Sequence, residues 1–524
     1  MAKIHENYMI NFLDRNKTKS YIGTELKKIL ISNFKDLSEE NARKVISNCY
    51  KKKAILSTEP VTFCNNQYVY FSVKAKEKYS LLKSNIEKYK PQLFRVIYAL
   101  SRKSGIISLN ELYNISGVSI SNGSHNVSFD KLMDDLNYLD IAELFESDGL
   151  KYIRFKNKGM NPEGVSSVKE DLKDKNLLLS LFSTWLIRSN IVDGKKFCFL
   201  GEPNNYEGIS RNDYYWDAFG FTNTVGIGTL QKDFQTIVVI DFFHKNKYEE
   251  YDFQGFNKKV ECLIFSVKGK KRKVLPIVIA TEFSPVAKTL IQKHNYMCFN
   301  LDSILGKNAV KISRQYRESI EKMEDIITKK DIITESDQTI VLKNVSNTCN
   351  LIQTNGNEVN FGNLKGTLFE YLMYPVLSRI FNQNGTRIIH NFAGSVDNEK
   401  FECDYRIETE KENIFIELKG YNREYVIPLG KCDKENNKPK KQTIKWFLKK
   451  YELAKKFVGN ERKSKFCYIT TSTIEDKAKK VMSQRKKEKA EILDYFYEYD
   501  SLIELLNNYK LKKEIEVIKQ FFGL

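Results

Sequence analysis

NIFIELKGY, residues 413–421, alternates with a period of two and so predicts a β-strand. Ile414, Ile416 and Leu418 fall on one face, while Phe415, Glu417 and Lys419 share the other. A carboxylate and an ammonium therefore project side by side from a strand whose opposite face is apolar. Upstream, FECDYRI (401–407) predicts an adjacent strand, whose Asp404 a short hairpin would bring alongside Glu417. Before it come a helix over Leu364–Phe381, with Glu370 in the segment GTLFEY, and a strand over Arg387–Phe392. Pro375 inside that helix predicts a kink.

Phosphodiester hydrolysis needs such a set. Two carboxylates and a main-chain carbonyl hold Mg²⁺ through hard oxygen ligands. The metal polarises a phosphoryl oxygen and acidifies a bound water, and a nearby ammonium offsets the charge of the pentacovalent state. Asp404 and Glu417 are the candidate metal ligands, Leu418 supplies the carbonyl, and Lys419 is the charge stabiliser. Glu370 is a candidate holder of an outer water of the metal or of a second ion. The competing reading is a solvent-facing Glu–Lys pair on an edge strand.

By residue, the segment resembles the PD-(D/E)XK nuclease superfamily. Asp404, Glu417 and Lys419 match its D…ExK signature, and Glu370 matches the helix glutamate that many members carry before the first strand. The order downstream agrees over roughly residues 360–490: a Lys-rich helix over Gln442–Phe457, a strand over Lys465–Thr471 and a basic helix over Ile474–Lys489. Cys403 stands where the name-giving proline would be. The resemblance implies a C-terminal α/β nuclease core over 355–524, Mg²⁺ dependence, and dimerisation of cleavage domains for a double-strand cut.

At the N-terminus, residues 1–80 read as three helices and a hairpin, the pattern of a winged helix. Ser38 caps a helix over Glu39–Lys53 with Ala42, Val45, Ile46 and Cys49 on one buried face. Its other face carries Asn41, Arg43, Lys44, Ser47, Asn48 and Lys51, which suit phosphates and base edges in a major groove. Strands over Ile55–Cys64 and Tyr68–Val73, with an Asn65-Asn66 turn, form the wing. The competing reading is a small helical domain with a solvated lysine face.

The pattern recurs over 81–160, closed by a hairpin with an Asp148-Gly149 turn. There the third helix presents Asp130, Asp134 and Asp135, which phosphates would repel, so this second winged helix reads as a scaffold or as a reader through Lys151, Arg154 and Lys156 of its wing. Lys156 to Glu170, with Gly159, Pro162, Gly164 and paired serines, predicts a linker. A central α/β domain is expected over 171–332, with a hairpin over Val260–Ala280 whose tip, Lys268–Lys273, is strongly basic. It reads either as an ordinary specificity or dimerisation domain or as a degenerate nuclease-like fold. In the second case Asp217 and Asp241 are its remaining acids, and Phe243 stands where a catalytic lysine would be. A polar stretch over Thr334–Gly356 leads to the last domain.

The 524 residues include 85 Lys and Arg against 66 Asp and Glu, a net charge of +19, with 41% hydrophobic residues. That supports several packed cores and either a polyanionic partner, nucleic acid before a membrane surface (double-stranded DNA, given the motifs above), or only the Lys- and Asn-rich codon bias of an AT-rich genome. The nine cysteines form no CxxC and no regular spacing, as in a reducing cytoplasm. No apolar run is long enough to cross a bilayer. No phosphate loop is present, Gly226-Ile227-Gly228 reads as a turn, and His5, His125, His244, His294 and His390 lack ligand spacing. Together these predict a multidomain α+β and α/β chain: tandem winged helices, a central α/β domain and a C-terminal nuclease core. The expected activity is that of a cytoplasmic, Mg²⁺-dependent, type II site-specific deoxyribonuclease, working as a homodimer for double-strand cleavage. A defence or repair nuclease reading DNA structure or a partner, and a non-catalytic DNA-binding regulator, are the alternatives.

Overall fold

The computed structural model describes residues 2–75, 78–121, 126–157, 161–201, 207–222, 235–268, 272–329, 334–356, 358–382, 385–430 and 442–523. His125, Gly159, residues 226–228 and residues 269–271 of the basic tip lie outside them. The chain is a mixed α/β, multidomain protein that divides into two compact units, Met1–Ile304 and Leu305–Leu524. The boundary between the units falls between Ile304 and Leu305.

The first unit opens with α1 (Ala2–Arg15), β1 (Tyr21–Ile22), α2 (Gly23–Asn33), α3 (Glu39–Lys51), β2 (Ile55–Ser57) and β3 (Val69–Ser72), its strands ordered β1-β3-β2. The Ser38 side chain accepts the Asn41 amide and starts α3, and Ala42, Val45, Ile46 and Cys49 are buried as their spacing requires. Asn65 and Asn66 both adopt positive φ, as their turn requires. After α4 (Lys78–Tyr89) the same order returns: α5 (Pro91–Arg102), β4 (Ile106–Ser108), α6 (Leu109–Ser116), α7 (Phe129–Tyr138), β5 (Ala142–Ser147) and β6 (Leu150–Phe155), with strands ordered β4-β6-β5. Asp148 and Gly149 both have positive φ, the geometry of a two-residue hairpin turn. Asp135 corrects the expectation for α7. It is buried and paired with Lys90 at 2.7 Å and Lys131 at 2.9 Å, leaving Asp130 and Asp134 exposed.

The expected linker is largely helix. Asn161 accepts the Gly164 amide, Pro162 occupies the first turn, and α8 (Pro162–Arg188) runs on through the serines and the apolar segment beyond. Then follow β7 (Cys198–Phe199), β8 (Ile209–Arg211), β9 (Tyr214–Trp216), β10 (Ala218–Thr222), β11 (Thr236–Tyr248), α9 (Glu250–Val267), β12 (Val274–Phe283), α10 (Pro285–Lys293), β13 (Met297–Asn300) and α11 (Leu301–Leu305). The main sheet has the order β13-β12-β11-β10-β7. Val260–Val267 is the end of α9, a crossover between the parallel strands β11 and β12, so no hairpin spans Val260–Ala280. The apolar side chains Val260, Leu263 and Val267 fit one helix face as well as a strand, which is why pattern alone misassigned them.

In the second unit, α12 (Ala309–Lys329), α13 (Glu335–Asn355) and α14 (Glu358–Ile380) precede the sheet. The polar stretch forms α13 because Thr334 and Asp337 cap it reciprocally. Pro375 lies inside the continuous α14. Next come β14 (Arg387–Val396), β15 (Glu399–Glu408), β16 (Glu412–Lys419), β17 (Val426–Ile427), α15 (Ile444–Val458), β18 (Lys463–Thr470), β19 (Thr473–Ile474), α16 (Asp476–Ser483), β20 (Phe496–Tyr497), α17 (Tyr499–Asn508) and α18 (Lys512–Phe521). The expected basic helix over Ile474–Lys489 is confined to α16. The sheet order is β14-β15-β16-β18-β20, which puts β16 at the centre. Among the described residues no helix is long and apolar enough to cross a membrane.

Candidate active site

β16 pairs antiparallel with β15 and parallel with β18, and the residues from Glu412 to Leu418 are all buried. This disposes of the edge-strand reading, because Glu417 is only 3% exposed. Burying a carboxylate is costly without compensating partners, and Glu417 has two. Lys419 Nζ lies 2.9 Å from Glu417 Oε1, and Lys450 Nζ of α15 donates to Oε1 and Oε2 at 3.1 and 3.2 Å.

The β15–β16 register, with Tyr405 opposite Ile416, sets Asp404 beside Glu417. Asp404 Oδ2 accepts the Leu418 amide at 2.6 Å, fixing the carboxyl at the end of the ladder. The Lys419 amine donates to the Leu418 carbonyl at 2.7 Å and lies 3.6 Å from Asp404 Oδ2. Asp404, Glu417 and the Leu418 carbonyl thus surround one cationic centre. The structure brings together the residues named from the sequence, with the ammonium among the oxygens.

The end of β16 is pinned from both sides. Thr470 Oγ1 and the Thr471 amide donate to the Lys419 carbonyl at 2.8 and 3.1 Å. Gly420 follows because a Cβ there would come within 2.7 Å of Phe369 Cβ, so only glycine lets α14 approach. That approach carries Glu370, whose main-chain carbonyl accepts Tyr405 Oη at 2.9 Å.

Charge and burial set the protonation of the cluster. Burial, reinforced by Glu417, pushes Asp404 up to about 6. Burial and the Asp404 charge push Glu370 up to about 8. Burial works against the Lys419 ammonium, but Asp404 and Glu417 outweigh it and hold its pKa well above the ordinary lysine value. With Glu370 held protonated at neutral pH, two carboxylates face two ammonium groups, and a third negative charge appears only as pH rises through about 8.

No group of three or more His, Cys, Asp or Glu side chains disposed to hold a metal occurs among the described residues. Glu370 feels the charges of Asp404 and Glu417. The oxygen set of Asp404, Glu417 and the Leu418 carbonyl, gathered around a single positive charge, still fits a hard divalent cation. His390 is packed between Tyr405 and Tyr371 with ring centroids 4.9 and 5.0 Å away, and burial pulls it down to about 4. It is a neutral packing residue.

Lys450 is the site residue that sequence reading missed. In α15, Phe447, Tyr451 and Ala454 are buried and set the inward face. Lys450 lies beside it, but nothing in a helix with so many lysines separates it from Lys449 or Lys455.

The expected DNA-contacting residues do not belong to this site. In α3 of the first unit, Asn41, Arg43, Lys44, Asn48 and Lys51 are exposed and Ser47 is half-buried. Lys44 is paired with Glu40 at 2.8 Å, an exposed contact of little energetic weight.

No family model and no curated protein matches the chain. A repair endonuclease from Pyrococcus abyssi has a TM-score of 0.18 and 11% identity, covering 30% of this chain and 64% of that one. Can2 from Sulfobacillus thermosulfidooxidans, in complex with cyclic tetra-adenylate, has a TM-score of 0.20 and 12% identity, covering 53% and 92%. The match to the first spans less than two thirds of that protein, and similarities this faint support no functional statement.

Proposed function

We propose that the second unit is a metal-dependent nuclease domain that hydrolyses phosphodiester bonds of duplex DNA, with Mg²⁺ as its cofactor. The observation that carries this reading is the convergence of Asp404, Glu417 and the Leu418 carbonyl on the position now taken by the Lys419 amine. When bound, Mg²⁺ supplies Lewis acidity toward a phosphoryl oxygen and a more acidic water. Asp404 and Glu417 hold that cation's charge within the sheet. Lys419, kept protonated by the two carboxylates, faces the charge that develops on the phosphoryl oxygens and positions the attacking water. Lys450 offsets part of the Glu417 charge from the α15 side.

The first unit supplies recognition in this reading. Its two three-helix modules, with strand orders β1-β3-β2 and β4-β6-β5, support an assignment as tandem winged helices. The exposed polar face of α3 suits a major groove. One cleavage site per chain cuts one strand, so a double-strand cut takes two copies of the chain. A type II, sequence-specific restriction endonuclease is the finer form of the proposal.

The test is incubation of purified protein with supercoiled plasmid and Mg²⁺, with an EDTA control. Discrete fragments support a sequence-specific enzyme. A smear, or cutting confined to ends and branches, replaces specificity by recognition of DNA structure. Intact plasmid with retained binding removes the nuclease assignment altogether.

A further inference from the structure

The central sheet repeats the cleavage sheet strand for strand. β7-β10-β11-β12-β13 and β14-β15-β16-β18-β20 share one sequence of pairings: antiparallel, antiparallel, parallel, parallel. The register agrees too. Ala218 lies opposite Ile240, which sets Asp217 beside Asp241 as Asp404 is set beside Glu417. Asp217 Oδ2 accepts the Phe242 amide at 2.8 Å, the counterpart of the bond from Leu418 to Asp404. Phe243 then occupies the place of Lys419.

The surroundings differ in charge. Where α14 brings Glu370, α8 brings Lys175, whose amine donates to Asp217 Oδ1 at 2.8 Å. Where α15 brings Lys450, α9 brings the buried Lys259, bonded to Asn114 Oδ1 at 2.8 Å and to the Tyr215 carbonyl at 3.0 Å. Two ammonium groups thus answer two carboxylates, as Lys419 and Lys450 answer Asp404 and Glu417, but here an amine stands where the cleavage sheet has the further carboxyl of Glu370. Burial works to raise the pKa of Asp217, but Lys175, the Phe242 amide and Lys259 together lower it.

Access differs as well. Asn110 and Asn114 of α6 donate to Asp217 Oδ1 at 3.1 and 2.9 Å, and Asn110 also accepts Lys175 at 2.9 Å. A Cβ on Gly255 would collide with the carbonyls of Asn114 and Ile115, and one on Gly117 with the Gly255 carbonyl. The end of α6 and helix α9 thus touch backbone to backbone. The open pocket beside Asp241 has ≈ 50 Å³ of room for water and is lined by Asn110, Asn114 and Lys175.

We propose that the central sheet is a silenced second copy of the cleavage core, in which Lys175 and Lys259 take the place of a divalent cation and helix α6 takes the place of substrate. The converted site is a socket that fixes the second three-helix module to the central sheet. The described residues of 91–121 and 126–155 are accordingly an immobile part of the central body and not a separately moving reader. The comparison with the cleavage sheet rests on the reading of that sheet as the active one.

The test titrates the full chain with Mn²⁺ alone and, in parallel, follows amide hydrogen exchange in α6. Wild type and Asp217→Asn are expected to bind one equivalent of Mn²⁺, and Glu417→Gln none. Asp217→Asn should exchange about tenfold faster over residues 109–116 with no change over 412–419. Asn110→Ala with Asn114→Ala, which leaves the central sheet intact, should do the same and stands in if Asp217→Asn fails to fold. Loss of the Mn²⁺ equivalent in Asp217→Asn, or undiminished α6 protection, overturns the proposal. If wild type binds no Mn²⁺, the metal-dependent reading of the cleavage site fails, and the exchange measurement alone decides the socket.

Discussion

Lys450 reaches from the middle of α15 to hold both carboxylate oxygens of Glu417, at 3.1 and 3.2 Å. The carboxylate on which the proposed chemistry depends is thus gripped by two amines, one from its own strand and one from the covering helix. Removing Lys450 strips positive charge from beside a proposed metal ligand. At the effective dielectric of a partly buried site, one charge a few ångströms away is worth on the order of 1 kcal/mol or more. Lys450→Met is expected to lower the Mg²⁺ concentration for half-maximal cleavage by about three- to tenfold. A raised requirement would mean that Lys450 serves Glu417 chiefly by orienting it.

Glu417→Ala and Lys419→Ala are each expected to reduce plasmid cleavage by about 100-fold or more, the scale of losing one charge stabiliser or ligand in such a site. DNA affinity in filter binding should stay near wild type, because the proposed reading helix belongs to the first unit and these side chains to the second. Persistent cutting by either variant would move the chemistry elsewhere.

Glu370 makes stability pH-dependent in metal-free protein. Its carboxyl is raised from 4.5 to about 8 in the fold, so its contribution is full below about 4.5 and is lost as pH rises through about 8. Glu370→Gln cannot ionise. Its melting temperature in EDTA should therefore exceed that of wild type by several degrees at pH 9, with the gap closing toward pH 5. A constant gap, or one that widens on acidification, contradicts the assignment.

Lys44→Ala combined with Asn48→Ala tests the α3 face. Duplex binding should weaken, and the slope of log affinity against log salt should fall by about one, the share of one phosphate contact. Unchanged affinity at moderate salt would place recognition on another surface, the Lys268–Lys273 segment first.

What could be read from the sequence follows the range over which each cause acts. The alternation in NIFIELKGY, the Ser38 cap and the Asp148-Gly149 turn are local, and each element formed where its residues call for it. The pairing of Asp404 with Glu417 was within reach because a hairpin joins their strands. Val260–Val267 was not, since an apolar face suits helix or strand equally and the parallel register of β11 with β12 is decided by distant residues. Lys156–Glu170 misled because proline and glycine mark a helix start as readily as a linker. Asp135 was misplaced because its partner Lys90 lies 45 positions earlier in the chain. Lys450 stayed hidden for the same reason, its role being set by a strand 33 positions before it.

The Lys419 amine, lodged among the oxygens of Asp404, Glu417 and Leu418, acts as an internal plug. Without it the two neighbouring acids would repel each other in metal-free protein. Under the proposed metal dependence, a protein without its ion would stay folded and merely idle, because the amine already balances the acids.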